Sequence, residues 1–110
     1  MKYKTTTKAI KNNYSENEII SIGYCGAYHL LKNHSPIAYT CGVYGWNYDI
    51  YKVNGVCICT GYRGMPNGLN VNYKRLEELE KRAEKLTYSE VDNKIREEIL
   101  LNFIKECKGE

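Results

Sequence analysis

The sequence predicts a single α+β domain spanning residues 1–110: a small antiparallel β-sheet of three to four strands, short N-terminal helices, and a C-terminal helical hairpin on one side of the sheet. Three observations predict it. Asn54-Gly55 lies between two runs rich in β-branched and aromatic residues, Tyr44 to Val53 and Val56 to Tyr62. Asn-Gly is the strongest short hairpin signal, because a type I′ turn needs positive φ at both central residues. Beyond residue 70 the apolar residues recur with a helical rather than a strand period, in two successive segments. Finally, 110 residues with 43% hydrophobic and 26% charged content suit one domain with a core of its own.

Taken in order, Thr5, Thr6 and Thr7 are competent helix N-caps, and Lys8 to Asn12 can form a short helix with Ala9 and Ile10 on its apolar side. Ser15 to Glu18 reads as a turn. Ile19 to Tyr24 reads as a short strand, since isoleucine is β-branched and polar residues bound the run. Cys25 to His34 fits a helix of two to three turns on Ala27, Leu30 and Leu31, ended by Pro36, which pushes Ser35 out of the α region. Ile37 to Thr40 is the first strand of the main sheet. A two-residue turn then fixes the hairpin register. Val53 faces Val56, Tyr51 faces Ile58, Asp49 faces Thr60 and Asn47 faces Tyr62. On the other face Lys52 meets Cys57, Ile50 meets Cys59, Tyr48 meets Gly61 and Trp46 meets Arg63, where a cation–π contact is possible. Gly64 to Gly68 is a loop by composition. A helix starts at Asn70 or Asn72 with Leu76, Leu79, Ala83 and Leu86 on one face. Ser89 caps a last helix, with Asp92 three residues on as an approximate capping box. Ile95, Ile99, Leu100, Phe103, Ile104 and Cys107 give that helix a broad apolar face.

Charge and cysteine usage bound the function. The longest apolar runs are about four residues, against roughly 20 for a membrane-spanning helix, and MKYKTTTKAI lacks the apolar stretch of a secretory signal. The five cysteines are therefore expected to be reduced thiols of a cytoplasmic protein. The net charge is +3, and the only basic excess is N-terminal: residues 1–12 carry Lys2, Lys4, Lys8 and Lys11 and no acid. Such an arm can touch phosphate or an acidic partner, or it can be a solvated helix face.

Residue types suggest two chemical sites. Cys25 at a helix start would have its thiolate stabilised by the helix dipole, with His29 or His34 as base and Asp49 as orienter. Cysteine hydrolases bring the histidine from a separate strand, whereas both histidines here lie within nine residues of the cysteine, so no catalytic residue is predicted. Cys25, His29, Cys57 and Cys59 would supply four soft metal ligands. Neither half has a recognised zinc spacing, and packing explains the strand cysteines equally well, so no metal and no cofactor is expected. The stronger signal is aromatic. Seven of the eleven tyrosines lie between residues 24 and 62, and both faces of the hairpin carry aromatics. With helices on one face only, the other would show them to solvent. Tyr, Trp and Arg are enriched at binding hot spots, and the same set can stack nucleobases. Core filling by aromatic residues of high β-propensity is the plain alternative. The residues expected to bind a partner are Tyr44, Trp46, Tyr48, Tyr51, Tyr62 and Arg63.

The runs GYCGAYHLL, SPIAYTCGVYGWNYDIY and CTGYRGMPNG, followed by a Glu/Lys-rich helix, resemble a group of short proteins from phages and mobile elements of Gram-positive bacteria. The resemblance covers about residues 5 to 86 and is most specific in GVYGWNYD and TGYR. Such proteins include inhibitors of host defence, among them anti-CRISPR proteins that bind the type II effector nuclease. The resemblance thus implies a non-enzymatic, stoichiometric inhibitor in the cytoplasm of the infected or host cell. A slightly basic chain does not suit a DNA mimic, and suits better a binder of the nuclease or its guide complex. The alternative is a small nucleic-acid-binding regulator that uses the Lys-rich N-terminal arm and the sheet aromatics.

Overall fold

The expected turn organises the sheet. In the computed structural model, which describes residues 3–15, 18–22, 29–40, 48–60 and 68–109, Asn54 and Gly55 adopt φ of 49° and 76°, the left-handed pair that a type I′ hairpin requires. They join β4 (Asp49–Val53) to β5 (Val56–Thr60) in the register derived from the sequence: Val53 with Val56, Lys52 with Cys57, Tyr51 with Ile58 and Ile50 with Cys59. The Thr60 hydroxyl donates to the Asp49 carbonyl at 3.3 Å, which places those two residues together as expected. The expected pairings of Tyr48 with Gly61, Asn47 with Tyr62 and Trp46 with Arg63 lie outside the described residues.

The α+β class holds, and the sheet is larger and differently wired than expected. It has five strands in the order β1-β3-β4-β5-β2, with β1 at Tyr3–Thr5, β2 at Ile19–Ile22 and β3 at Ala38–Thr40. It is mixed rather than antiparallel: β1 runs parallel to β3 and β2 parallel to β5. Since β3, β4 and β5 alternate in direction, the two edge strands point the same way. The chain must then cross the whole sheet between them, and the helix α1 (Thr7–Asn13) lies on that crossing. Thr6 caps it, its side chain accepting from the Ala9 N–H at 3.1 Å. Strand β1 escapes sequence reading because three residues carry no usable period.

Helices on one side only is therefore corrected, because both faces are covered. On one face Ile10 of α1 packs with Ile19, Ala38, Ile50, Cys57 and Cys59. On the other, Ile20, Ile22, Val53, Val56 and Ile58 meet Leu76, Leu79 and Ala83 of α2 (Tyr73–Glu84) and Ile99, Leu100, Phe103 and Ile104 of α3 (Glu90–Lys108). Residues 56–59 are buried on both faces in consequence. Each aliphatic side chain so enclosed contributes about 1.5–3 kcal/mol.

The expected helix over Cys25 to His34 is also corrected where it is described: residues 29–33 form turns. A short helix nucleates poorly without many internal contacts, and here the polar side chains bond outward. Asn33 Nδ2 donates to the Asn93 carbonyl at 3.1 Å, and His34 Nε2 lies 2.8 and 3.0 Å from the Glu97 carboxylate oxygens. Leu30 and Leu31 fill the core between β2 and the C-terminal helices.

The C-terminal hairpin forms as its caps predict. Asn72 accepts from the Arg75 N–H at 3.0 Å and Ser89 from the Asp92 N–H at 3.2 Å. The approximate capping box is not reciprocal, however. The Asp92 carboxylate turns back to the Thr87 N–H and hydroxyl, which fixes the α2–α3 corner. Arg75, at the start of α2, reaches Glu106, near the end of α3, at 3.3 Å. Arg96, near the start of α3, reaches the Ala83 carbonyl near the end of α2 at 3.1 Å. The two helices are therefore antiparallel. No helix among the described residues is long and apolar enough to cross a membrane.

Candidate functional site

Of the six residues expected to bind a partner, the structure describes Tyr48 and Tyr51. Both are half-buried. Tyr51, opposite Ile58 in the ladder, packs against the core beneath α2 and α3, and Tyr48 immediately precedes β4. Tyr44, Trp46, Tyr62 and Arg63 lie outside the described residues. A sheet face left open to display tyrosines is overturned over residues 49–60, since α1 covers the face that α2 and α3 leave free.

No described tyrosine is fully buried. Every described tyrosine, at positions 3, 14, 39, 48, 51, 73 and 88, is half-buried or exposed, and apart from Ser21 and Arg96 the enclosed described positions are filled by Ile, Leu, Val, Ala, Cys and Phe103. The most open are Tyr3, Tyr73 and Tyr88, at 60%, 53% and 70% exposure. None of these three was singled out from the sequence.

The thiol readings resolve into packing where they can be followed. Cys57 and Cys59 lie on one strand face with their Sγ atoms 3.8 Å apart and no accessible surface. Hydrogen bonding to Cys57 and burial both push the Cys59 thiol up, so it stays protonated. Both face α1, whereas Leu30 and Leu31, which follow His29, pack on the opposite side of the sheet. Cys25 lies outside the described residues, and so does any set built on it. His34 is engaged by Glu97. Among the described residues no group of three His, Cys, Asp or Glu stands close enough to hold a metal ion.

A polar corner that the sequence reading missed sits where α2 meets α3. Lys32 Nζ donates to the Tyr88 hydroxyl at 3.0 Å and lies 5.1 Å from the centre of its ring. The Arg96 guanidinium lies 5.9 Å from the same ring. Lys32 accordingly holds the Tyr88 phenol below its usual range. Val91, in the first turn of α3, is 69% exposed. Arg96 itself is almost wholly enclosed. Its signal was present in the sequence: it falls at i, i+3, i+4 and i+7 with Ile99, Leu100 and Phe103, on the apolar stripe of α3.

Comparison with protein-family models, with curated proteins and with solved structures finds no match to this chain.

Proposed function

We propose that the protein is a non-enzymatic inhibitor of host defence that binds an effector nuclease, or its guide complex, through Tyr44, Trp46, Tyr48, Tyr51, Tyr62 and Arg63. The observation that carries this reading is that no described tyrosine is fully buried, Tyr14 and Tyr51 only flanking the core clusters. Of the eleven tyrosines, the seven that are described all keep some exposure, and at a surface Tyr, Trp and Arg supply large contact area at low entropic cost. The resemblance carried by GVYGWNYD and TGYR supplies the partner class. The packing supports the location: β4 and β5 form a hairpin held on both faces, and GVYGWNY leads directly into β4 while GYR follows directly on β5.

The test is co-elution of the purified chain with a guide-loaded type II effector nuclease, together with inhibition of DNA cleavage. Trp46→Ala and Arg63→Ala are expected to abolish both while leaving the circular dichroism and unfolding midpoint unchanged. Retained binding and inhibition in both variants would refute the hairpin interface. The nucleic-acid alternative draws on the exposed Lys4 and Lys8, and predicts direct DNA or RNA binding that falls steeply with salt. Such binding without any nuclease complex would replace the proposal.

A further inference from the structure

The two edges of the sheet are finished differently. On the β2 side the outward carbonyls are taken: the Leu69 N–H donates to the Ile19 carbonyl at 3.2 Å and the Tyr73 hydroxyl to the Ser21 carbonyl at 3.0 Å. All four residues of β2 are buried. On the β1 side no described strand or side chain pairs outward. The Tyr3 N–H donates inward to the Ile37 carbonyl at 3.4 Å, and in a parallel ladder successive residues bond to alternate sides. The N–H and C=O of Lys4 therefore point away from β3, and no hydrogen bond to them is present among the described residues. Lys4 is exposed, Tyr3 is 60% exposed, and Lys8 is exposed in the first turn of α1.

We propose that this edge accepts an extended acidic segment of a partner protein as a sixth strand beside β1. Main-chain bonds to Lys4 would supply the register, and the Tyr3 ring a flanking apolar contact. Charge selects the occupant. The first twelve residues carry four lysines and no acid. A second copy pairing β1 with β1 about a two-fold axis would set Lys4 against Lys4, and like charges directly opposite are destabilising. A strand with Glu or Asp opposite Lys4 gains instead. The opposing explanation is that a lysine on a short edge strand only guards against aggregation, and it predicts that no strand binds. The inference stands apart from the hairpin interface, because Tyr3 and Lys4 are not among the six residues proposed there.

The probe is a fluorescein-labelled peptide of alternating Glu and Val, titrated by anisotropy against the full chain at about 50 mM and about 300 mM salt. Binding is expected at the lower salt and weaker at the higher. Lys4→Ala keeps the outward N–H and is expected to cost about threefold through lost charge. Lys4→Pro removes that N–H at an edge position where proline is tolerated, and is expected to cost at least about tenfold. In the unmodified chain, the Lys4 amide should gain protection from hydrogen exchange when peptide is added, a readout independent of how Lys4→Pro folds. Absence of binding at low salt, equal losses in Lys4→Ala and Lys4→Pro, an unprotected Lys4 amide, or a dimer of the free chain through this edge would each overturn the proposal.

Discussion

Replacing Arg96 with methionine tests whether the α2–α3 corner is held by a buried cation without a carboxylate partner. Arg96 is 1% exposed. Its Nη1 donates to the Asn93 side-chain oxygen at 2.9 Å and the Thr87 carbonyl at 3.4 Å, and its Nη2 to the Ala83 and Leu86 carbonyls at 3.1 and 3.4 Å. These carbonyls cluster at the C-terminal end of α2, where a helix leaves its last C=O groups unbonded and carries partial negative charge. Ala83 O keeps a second donor, the Leu86 N–H at 3.1 Å, so methionine chiefly strands Leu86 O and Thr87 O. Each stranded carbonyl costs about 1–3 kcal/mol, against which the desolvation of the guanidinium is relieved. The net expected loss is about 2–3 kcal/mol, or a fall of the urea midpoint by roughly 1–2 M. Arg96→Lys separates geometry from charge. A single ammonium cannot span the fork and still has to be desolvated, so the lysine variant should be no more stable than the methionine variant. Urea unfolding followed by circular dichroism reads both. A methionine variant as stable as wild type, or a lysine variant within about 0.5 kcal/mol of it, would refute the clamp.

Three further outcomes follow from the same structure. Gly55→Ala forces a side chain to φ of 76° with no atom within 4 Å of the new Cβ, so its cost is conformational, about 1–2 kcal/mol, and a thermal melt should show roughly 4–8 °C lost per kcal/mol. The Cys107 thiol is pushed up to about 11 by burial and by Glu106. Its folded value thus exceeds its unfolded one, and the associated stability is present below the ordinary thiol range and lost as pH rises through about 11. Comparing unfolding midpoints across that window, Cys107→Ala should flatten its share of the decline. Asp92 is held below the usual carboxylate range by hydrogen bonds from Thr87 and Ser89, so its contribution exists above the ordinary aspartate value and is lost as pH falls through the depressed one. In acid titrations followed by circular dichroism, Asp92→Asn should unfold with a shallower acid limb than wild type.

The hairpin and the helical pair were legible because local chemistry specifies them. Asn54-Gly55 sets the register alone, and Asn72 and Ser89 each announce a helix start. What was not legible depends on partners distant in sequence. Tyr3 to Thr5 becomes a strand only because β3 lies beside it, and no periodicity in three residues can signal that. The parallel edges follow from α1 crossing the sheet, which in turn buries the face holding Ile50, Cys57 and Cys59. A strand such as Val56 to Thr60 looks mixed in sequence because cysteine is small and weakly polar, yet it packs as a hydrophobe. Arg96 was hidden by the rule that charges face water, and it is the kind of exception whose carbonyl partners only tertiary structure can supply.

The aromatic content was legible as composition, and the topology fixes the end of the sheet from which the flanking segments leave. Strands β1 and β3 end at Thr5 and Thr40, β4 begins at Asp49 and β5 ends at Thr60. With the directions set by their pairing, all four of these residues lie at the end of the sheet opposite the Asn54-Gly55 turn. The chain therefore enters α1, with its exposed Lys8, from the same end at which it leaves β3 and β5 toward the segments that carry Trp46 and Arg63. The proposed hairpin interface and the proposed β1 edge site are separable by mutation. If one partner uses both, Lys4→Pro should weaken the nuclease complex as well as the acidic peptide. A Lys4→Pro variant that loses the peptide and keeps the full nuclease affinity assigns the edge to a different acidic partner.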